Sequence, residues 1–304
     1  MQNTPKALFK VACAFSCLFL SLLPTKAQTN NQPQTPTQAK KDSVAMGVAV
    51  SPGKLLFTCK PGNTQSQVVT LTNHTDVSYN FRTGFTDYNQ SATGKPLFSK
   101  DNLKKDKYSL SKWATISPSF FTLEPGKAQK ITVTVTIPDN DSNRIAAWTI
   151  MEIDQVKKKQ PIAEQGSQTM SMGISPEIGL GVYIYQNPPN VKVNNVEIGK
   201  FYYRDTTFIL AQQTRPSKQL WMEVTNVGDG ISFCTSYAEL TNIQTGKTSR
   251  LSTQQFTILP GFNRDFFYEL PKDIAPGDYS AVGVVDFGEK TPKKVAQLNF
   301  KITK

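Results

Sequence analysis

Histidine is almost missing from this chain of 304 residues: His74 stands alone. Cysteine is scarce as well. Beyond the N-terminal apolar run, which holds Cys13 and Cys17, only Cys59 and Cys234 remain. These shortages remove whole classes of chemistry. A Ser-His-Asp or Cys-His arrangement would have to use His74, which sits in the turn "NHTD", where polar residues are expected for turn chemistry. One His and two distant Cys cannot complete a conventional four-ligand zinc site. No glycine-rich phosphate loop follows a parallel strand. A carboxylate pair can still form, since any two acids can meet in space, but the acids lie mostly in turns or on presumed outer faces of strands. The expectation is a chain that is not an enzyme and takes no metal or other cofactor. Long segments of helical period are absent too, which leaves an all-β chain of short alternating segments separated by turn clusters.

What is present begins with a leader. Lys6 and Lys10 precede the apolar run "VACAFSCLFLSLL", which is followed by "PTKAQ". A basic start, a short apolar stretch and a small-residue site ending at Ala27 describe a secretory signal peptide spanning 1–27. The alternative use of such a run is a membrane anchor, but it is shorter than the roughly 20 residues a spanning helix needs. A lipoprotein reading fails because Cys13 and Cys17 lie within the run and neither follows a Leu-x-Ala/Gly lead. No later segment resembles a membrane-spanning helix. The mature chain is therefore expected in the periplasm or cell envelope. Removing 1–27 deletes three Lys and no acid, so the formal charge falls from +11 to +8. The basic runs "KKDK" and "KKK" read as solvated loops rather than as a surface for an acidic partner. Nucleic acid is not expected as a partner of an exported chain without a recognition motif. Residues 28–45 are polar and Gln/Thr/Pro-rich, too poor in large apolar side chains to order themselves, and read as a disordered lead.

From about residue 46 the strand pattern takes over. In "AQKITVTVTIPD", Ile131, Val133, Val135 and Ile137 alternate with threonines, one face for a core and one for water. A repeat is visible. "VVTLTNHTD" (68–76) returns as "WMEVTNVGD" (221–229), "FFTLEPGKAQKITVTV" (120–135) as "FTILPGFNRDFFYEL" (256–270), and "RIAAWTIMEID" (144–154) as "GDYSAVGVVDFG" (277–288). The same three elements in the same order predict two sandwich domains of the size usual for seven strands. The expected domains are 46–188 and 189–304, with the boundary at "NPPN". Cys59 and Cys234 each fall in an apolar strand pattern. They read as two buried free thiols, or as a disulfide tying the two halves, which an oxidising compartment permits.

One stretch is unusual for a soluble β protein. In "QTMSMGISPEIGLGVYIYQNPP" (168–189), Met170, Met172, Ile174, Pro176, Ile178, Leu180, Val182 and Ile184 hold a period of two for fifteen residues. Ordinary strands run about five or six residues, and proline belongs at edges or breaks. The segment 168–175 either reaches outward as a strand for a partner or caps the edge of its own domain.

Taken together, the segments resemble the periplasmic pilus-chaperone (PapD-like) family of two immunoglobulin-like domains, best over residues 46–186. "VAVSPGKLLFTCKPGNTQSQVVTLTN" is similar to that family's first two strands, and "WATISPSFFTLEPGKAQKITVTV" to its P-x-x-x-x-L-x-P-G segment. "RIAAWTIMEI" is similar to its sixth strand, and "IGLGVYIYQNPP" to its seventh strand running into the hinge. The closing half, "LPGFNRDFFYELPKDIAPGDYSAVGVVDFG" followed by "AQLNFKI", resembles the last domain of WxL-interacting-type surface adaptors. The resemblance implies a chaperone that lends an edge strand to an exported subunit. Main-chain hydrogen bonds would supply affinity and alternate side chains selectivity. Met170, Met172 and Ile174 would be the lent residues, and methionine's flexible thioether suits varied pockets. The family's basic residue before the first strand's x-x-Phe falls on Lys54 in "GKLLF", where it would help anchor a client's terminal carboxylate. The second basic position falls near 180–181, where no Lys or Arg stands. The expected function is protein binding without catalysis, as a chaperone or assembly factor for an exported subunit or envelope component. A fixed adaptor of a surface or secretion complex is the alternative.

Overall fold

Alternation of apolar and polar side chains builds nearly everything in the structure, a computed structural model that describes residues 47–98, 105–140, 145–156, 177–189, 193–210, 213–288 and 292–303. The expected signal peptide (1–27) and polar lead (28–45) lie outside the described residues. The fold is two immunoglobulin-like β-sandwiches in tandem.

In the first sandwich, one sheet runs in the order β1 (Val48–Ser51), β3 (Thr64–Asn73), β9 (Ala128–Thr136), β7 (Ala114–Ser117). The facing sheet runs β2 (Lys54–Phe57), β11 (Gly179–Gln186), β10 (Ala147–Gln155), β4 (Tyr79–Thr86), β8 (Phe120–Leu123). A small hairpin of β5 (Asn89–Gln90) and β6 (Pro96–Leu97) and one helical turn, α1 (Lys105–Tyr108), stand outside the sheets. The threonine alternation of β9 does what its period dictates. Ile131, Val133, Val135 and Ile137 are buried against Val69, Leu71, Met151 and Ile153, while the threonines face away.

In the second sandwich, β12 (Val196–Leu210), β13 (Gln213–Asn226) and β17 (Asn263–Glu269) form one sheet. The other is built on β14 (Ser232–Asn242), which pairs with β15 (Thr248–Arg250), β16 (Gln254–Ile258) and β18 (Gly277–Asp286), with β19 (Lys294–Ile302) beyond β18. Its core gathers Leu220, Met222, Val224, Tyr268 and Val285.

The sequence repeat is a repeat of pairing. The antiparallel pair β3 with β9 corresponds to β13 with β17, and β4 with β8 to β14 with β16. Likewise β10 lies between β4 and β11 as β18 lies between β14 and β19. The Pro-Gly turn before the fifth repeated strand places Gly126 at φ 67 and Gly261 at φ 75, the left-handed region that glycine enters without a Cβ penalty.

Both thiols are free and buried, Cys59 in the first core and Cys234 in the second. The disulfide alternative is thereby closed. Burial raises the pKa of both thiols. For Cys234 desolvation, with the Asp286 charge adding to it, pushes the value up to about 12. Thiol reagents attack the thiolate. In the chain lacking residues 1–27, both cysteines should therefore react at pH 8 more slowly than a free thiol, Cys234 by roughly a hundredfold. Denaturant alone should then release both without a reductant, as followed by absorbance of the released thiol reagent. A slow phase that needs reductant would contradict two free thiols.

Candidate functional site

Two features face solvent, and β11 contributes to both. The first is its edge. β10 pairs with β11 along its whole length. β2 covers the other side in parallel only over 183–186, so residues 179–182 have no strand on that side among the described residues. The Tyr183 N–H donates to the Gly53 carbonyl on the β2 side (3.1 Å), and the Gln155 N–H takes the Ile178 carbonyl on the β10 side. By the period of two, the backbone groups of Gly179 and Gly181 point to the open side. The neighbouring edge, β2, is blunted by side chains of β3: Gln67 Nε2 donates to the Leu56 carbonyl (2.6 Å) and Gln65 Oε1 accepts from the Thr58 N–H (3.1 Å). Unpaired edges are where another chain can add a strand, and this sheet leaves one short stretch available there.

Inward from that edge, Val182 and Ile184 are fully buried and Ile178 and Leu180 pack on the same core. Outward, Gly179 and Gly181 leave the sheet face bare. With Pro96, Phe98, Ile150 and Tyr183 they line a groove of about 430 Å³, where Phe98 is 55% exposed. Met170, Met172 and Ile174, the residues expected to be lent to a partner, lie outside the described residues.

The second feature is the cleft between the sandwiches. Its floor is an apolar cluster contributed by both domains: Tyr88, Trp148, Ile150 and Tyr185 meet Ile231 and Leu259. Two amide side chains fasten the domains as a backbone would. Gln90 donates to the Thr257 carbonyl (2.9 Å) and accepts from the Leu259 N–H (3.1 Å). Asn187 accepts from the Ile231 N–H (3.1 Å) and donates to the Ile231 carbonyl (3.3 Å). The Asp265 N–H reaches the Ala92 carbonyl in the turn between β5 and β6 (2.7 Å). Five such bonds span the cleft over its aromatic floor.

Lys54 opens β2 at the rim of this cleft, with its Nζ 5.7 Å from the centre of the Phe233 ring. It lines a cavity of about 220 Å³ with Tyr88, Gln90, Gly94, Tyr183, Tyr185, Phe256, Thr257 and, from β17, Arg264. The Tyr88 hydroxyl donates to that of Tyr185 (3.4 Å), and desolvation raises both phenols above their ordinary value, so they stay neutral. The family resemblance places a companion for Lys54 near 180–181, where no Lys or Arg stands. The cation that shares its cavity comes instead from the second domain, where nothing local distinguishes Arg264 from any other strand arginine. Among the described residues there is no cluster of three or more metal-ligating side chains, and no helix is long and apolar enough to cross a membrane.

No protein-family model and no curated protein matches the chain. Solved structures do resemble it. The YadV chaperone is 12% identical over 84% of this chain and all of that one, at a TM-score of 0.41. The Escherichia coli chaperone DraB is 13% identical over 83% and 98%, at 0.39. A chain of the CsuC–CsuE chaperone–tip adhesion subunit pre-assembly complex from Acinetobacter baumannii is 12% identical over 82% and 97%, also at 0.39. At this identity and superposition the functional reading has to stand on the chain's own edge and cleft.

Proposed function

We propose that this is a non-catalytic, exported protein-binding protein of the periplasm or cell envelope, a chaperone or assembly factor that takes a client segment onto the open edge of β11. The observation that carries the reading is the edge of β11 at 179–182, which no strand among the described residues covers on the side away from β10, in a sheet whose adjoining edge is blunted by glutamine side chains. A segment added there continues the sheet, and its course past 183 leads into the cleft at Lys54. Edge addition takes affinity from main-chain hydrogen bonds and selectivity from alternate side chains. The Met170, Met172 and Ile174 stripe runs in sequence toward the same edge and supplies the second half of that recognition.

The test separates the stripe from the protein's own core. Met172→Asp places a carboxylate where an apolar pocket of the client is expected, and a desolvated charge there has no partner. It should abolish co-purification of the client from envelope extracts while shifting the melting temperature by less than about 2 °C, the range of surface substitutions. Gln168→Asp, ahead of the stripe, should change neither. Retention of every client by Met172→Asp would end the strand-lending reading. A client that is unstable alone marks a chaperone, and one that stays bound in the finished assembly marks an adaptor.

A further inference from the structure

We infer that the outer face of the sheet β12–β13–β17 is a binding site for a neutral saccharide chain, built on the aromatic row Tyr202, Trp221 and Phe267. The site belongs to the second sandwich, uses neither the β11 edge nor the cleft, and stands independently of the function proposed above.

Alternation along these strands puts one set of side chains in the core and the other outside. Leu220, Met222 and Val224 of β13 and Phe266 and Tyr268 of β17 are buried, so Trp221 and Phe267 stand on the opposite face. Register sets Tyr202 beside Trp221 and Trp221 beside Phe267, a row of three aromatics across three adjacent strands. Cross-strand aromatic pairs stabilise a sheet by themselves, yet Tyr202 stays 40% and Phe267 38% exposed. The indole between them is fixed by a chain of side chains. Trp221 Nε1–H donates to Gln219 Oε1 (2.8 Å), Gln219 Nε2 donates to Ser217 Oγ (3.0 Å), and Ser217 Oγ donates to Glu269 Oε1 (3.1 Å). Gln219 and Ser217 are buried although they stand on the outer face. The ring is thus locked before a ligand arrives, which cuts the entropy cost of binding.

The flanks of the row decide the ligand. Lys200, Glu223 and Asp265 form the next row on one side, and Arg204, Gln219 and Glu269 the next on the other. Their charges are already matched. Lys200 Nζ lies 3.2 Å from Glu223, Asn263 donates to Asp265 (3.1 Å), Ser217 donates to Glu269, and the Arg204 guanidinium lies 5.9 Å from the centre of the Trp221 ring. Two cations against three carboxylates give no hold on a phosphate-bearing polymer, which needs neutralising. A neutral ligand rich in hydroxyls meets both signs, because a hydroxyl donates to a carboxylate and accepts from an ammonium or guanidinium. A pyranose supplies the other half of the match, since its ring C–H groups form an apolar surface that lies against the negative face of an aromatic ring. The row spans two strand spacings, about 10 Å, the reach of two linked hexoses. Its rings turn with the sheet, Trp221 and Phe267 lying 5.1 Å apart at 36°. An extended, β-linked chain of the cellulose type follows such a row, and a coiled, α-linked chain of the amylose type leaves it. Ser217 and Glu269 also line a cavity of about 320 Å³ with Arg215, Pro216, Lys218 and Lys272. That volume lies in the range of small-molecule sites and takes the next sugar of the chain.

The experiment titrates the chain lacking residues 1–27 with cellohexaose, maltohexaose and glucose while recording the tryptophan Nε1–H resonances by NMR. Cellohexaose should shift the Trp221 resonance in a saturable manner and leave that of the buried Trp148 in place. Maltohexaose, the coiled chain of the same sugar, should bind at least tenfold more weakly, and glucose, which covers one ring only, more weakly still. Tyr202→Ala and Phe267→Ala, both at exposed strand positions where folding is not at stake, should each weaken cellohexaose at least tenfold. Trp221→Ala should abolish its binding, with a melting curve to show that the sandwich remains folded. Client co-purification should be unchanged in all three variants, so a failure here leaves strand addition standing, and client retention by Met172→Asp leaves this site standing. No saturable shift with cellohexaose, equal binding of maltohexaose, or undiminished binding by both Tyr202→Ala and Phe267→Ala overturns the site. Loss of a protein partner from these variants, with no cellohexaose bound by the parent, would make the row a protein interface and overturns it equally.

Discussion

Val182→Asp is expected to unfold the first sandwich outright. Val182 is fully buried, between Met151 across the sheet and the body of the core. The substitution forfeits about 2 kcal/mol of apolar burial and adds several more for a carboxylate with no partner in that core. The sum exceeds about 5 kcal/mol, which equals the whole stability of many domains. Circular dichroism at 25 °C should show loss of β signal, and no melting transition for this domain should remain. Leu180→Asp, half-buried near the end of the same strand, should be milder, because its carboxylate can turn toward water at the open edge. A Val182→Asp protein that melts within a few degrees of the parent would mean that the inner face of β11 is not the core face. The contrast with Met172→Asp is the point of the comparison: two residues in one period-two stripe, ten positions apart, with opposite expected effects on stability and on binding.

That contrast marks how far the stripe could be read. A period of two tells which side chains share a face, and it placed Val182 and Ile184 in the core correctly. It does not tell where pairing within the chain stops, because the same alternation serves a core face and a lent strand. The described strand begins only at Gly179, and what ends its coverage at 183 is the shortness of β2, a feature of another segment. Lys54 could be singled out only through the family resemblance, by its step before Phe57 on a short strand. Arg264 could not. Its position beside Lys54 depends on the docking of the sandwiches, which is set by Trp148, Tyr185, Ile231 and Leu259 and by the amides of Gln90 and Asn187. Those residues lie far apart in sequence with no shared period, and Gln90 and Asn187 resemble ordinary turn residues until their partners are known. The repeat, in contrast, was legible as letters before its cause was visible. "TNHTD" and "TNVGD" stand before related turns, and both asparagines turn out to be buried.

Asn73→Ala and Asn226→Ala should each cost about 3 kcal/mol, an unusually large penalty for residues that look like loop polar positions. Each asparagine is completely buried and performs the same task in its own sandwich. Asn73 donates to the carbonyls of Val77 (2.7 Å) and Leu123 (3.2 Å) and accepts from the Thr75 N–H (2.9 Å). Asn226 donates to the carbonyls of Gly230 (2.8 Å) and Ile258 (2.8 Å) and accepts from the Gly228 N–H (2.9 Å). In both, the acceptor four residues on closes the turn, and the distant acceptor stands three residues before the glycine of the Pro-Gly turn. The backbone repeats the tie: the Asn73 N–H bonds the Lys127 carbonyl and the Asn226 N–H bonds the Phe262 carbonyl, each just after that glycine. One amide thus joins the end of the second repeated strand to the turn that starts the fifth. Its removal deprives two carbonyls and one N–H of the amide, though the Val77 carbonyl keeps the Thr75 hydroxyl, and each buried group left without a partner costs about 1–3 kcal/mol, partly relieved by water entering at the turn. For sandwiches of this size the loss should lower the melting temperature by about 10 °C. Asn73→Asp and Asn226→Asp keep the acceptor but lose both donations and bury a charge, so they should be at least as damaging as alanine. Melting both series by circular dichroism tests the equivalence directly. An alanine variant that melts within about 2 °C of the parent would show that its turn holds without the amide, in which case the shared asparagine is a resemblance in sequence with no shared energetic role.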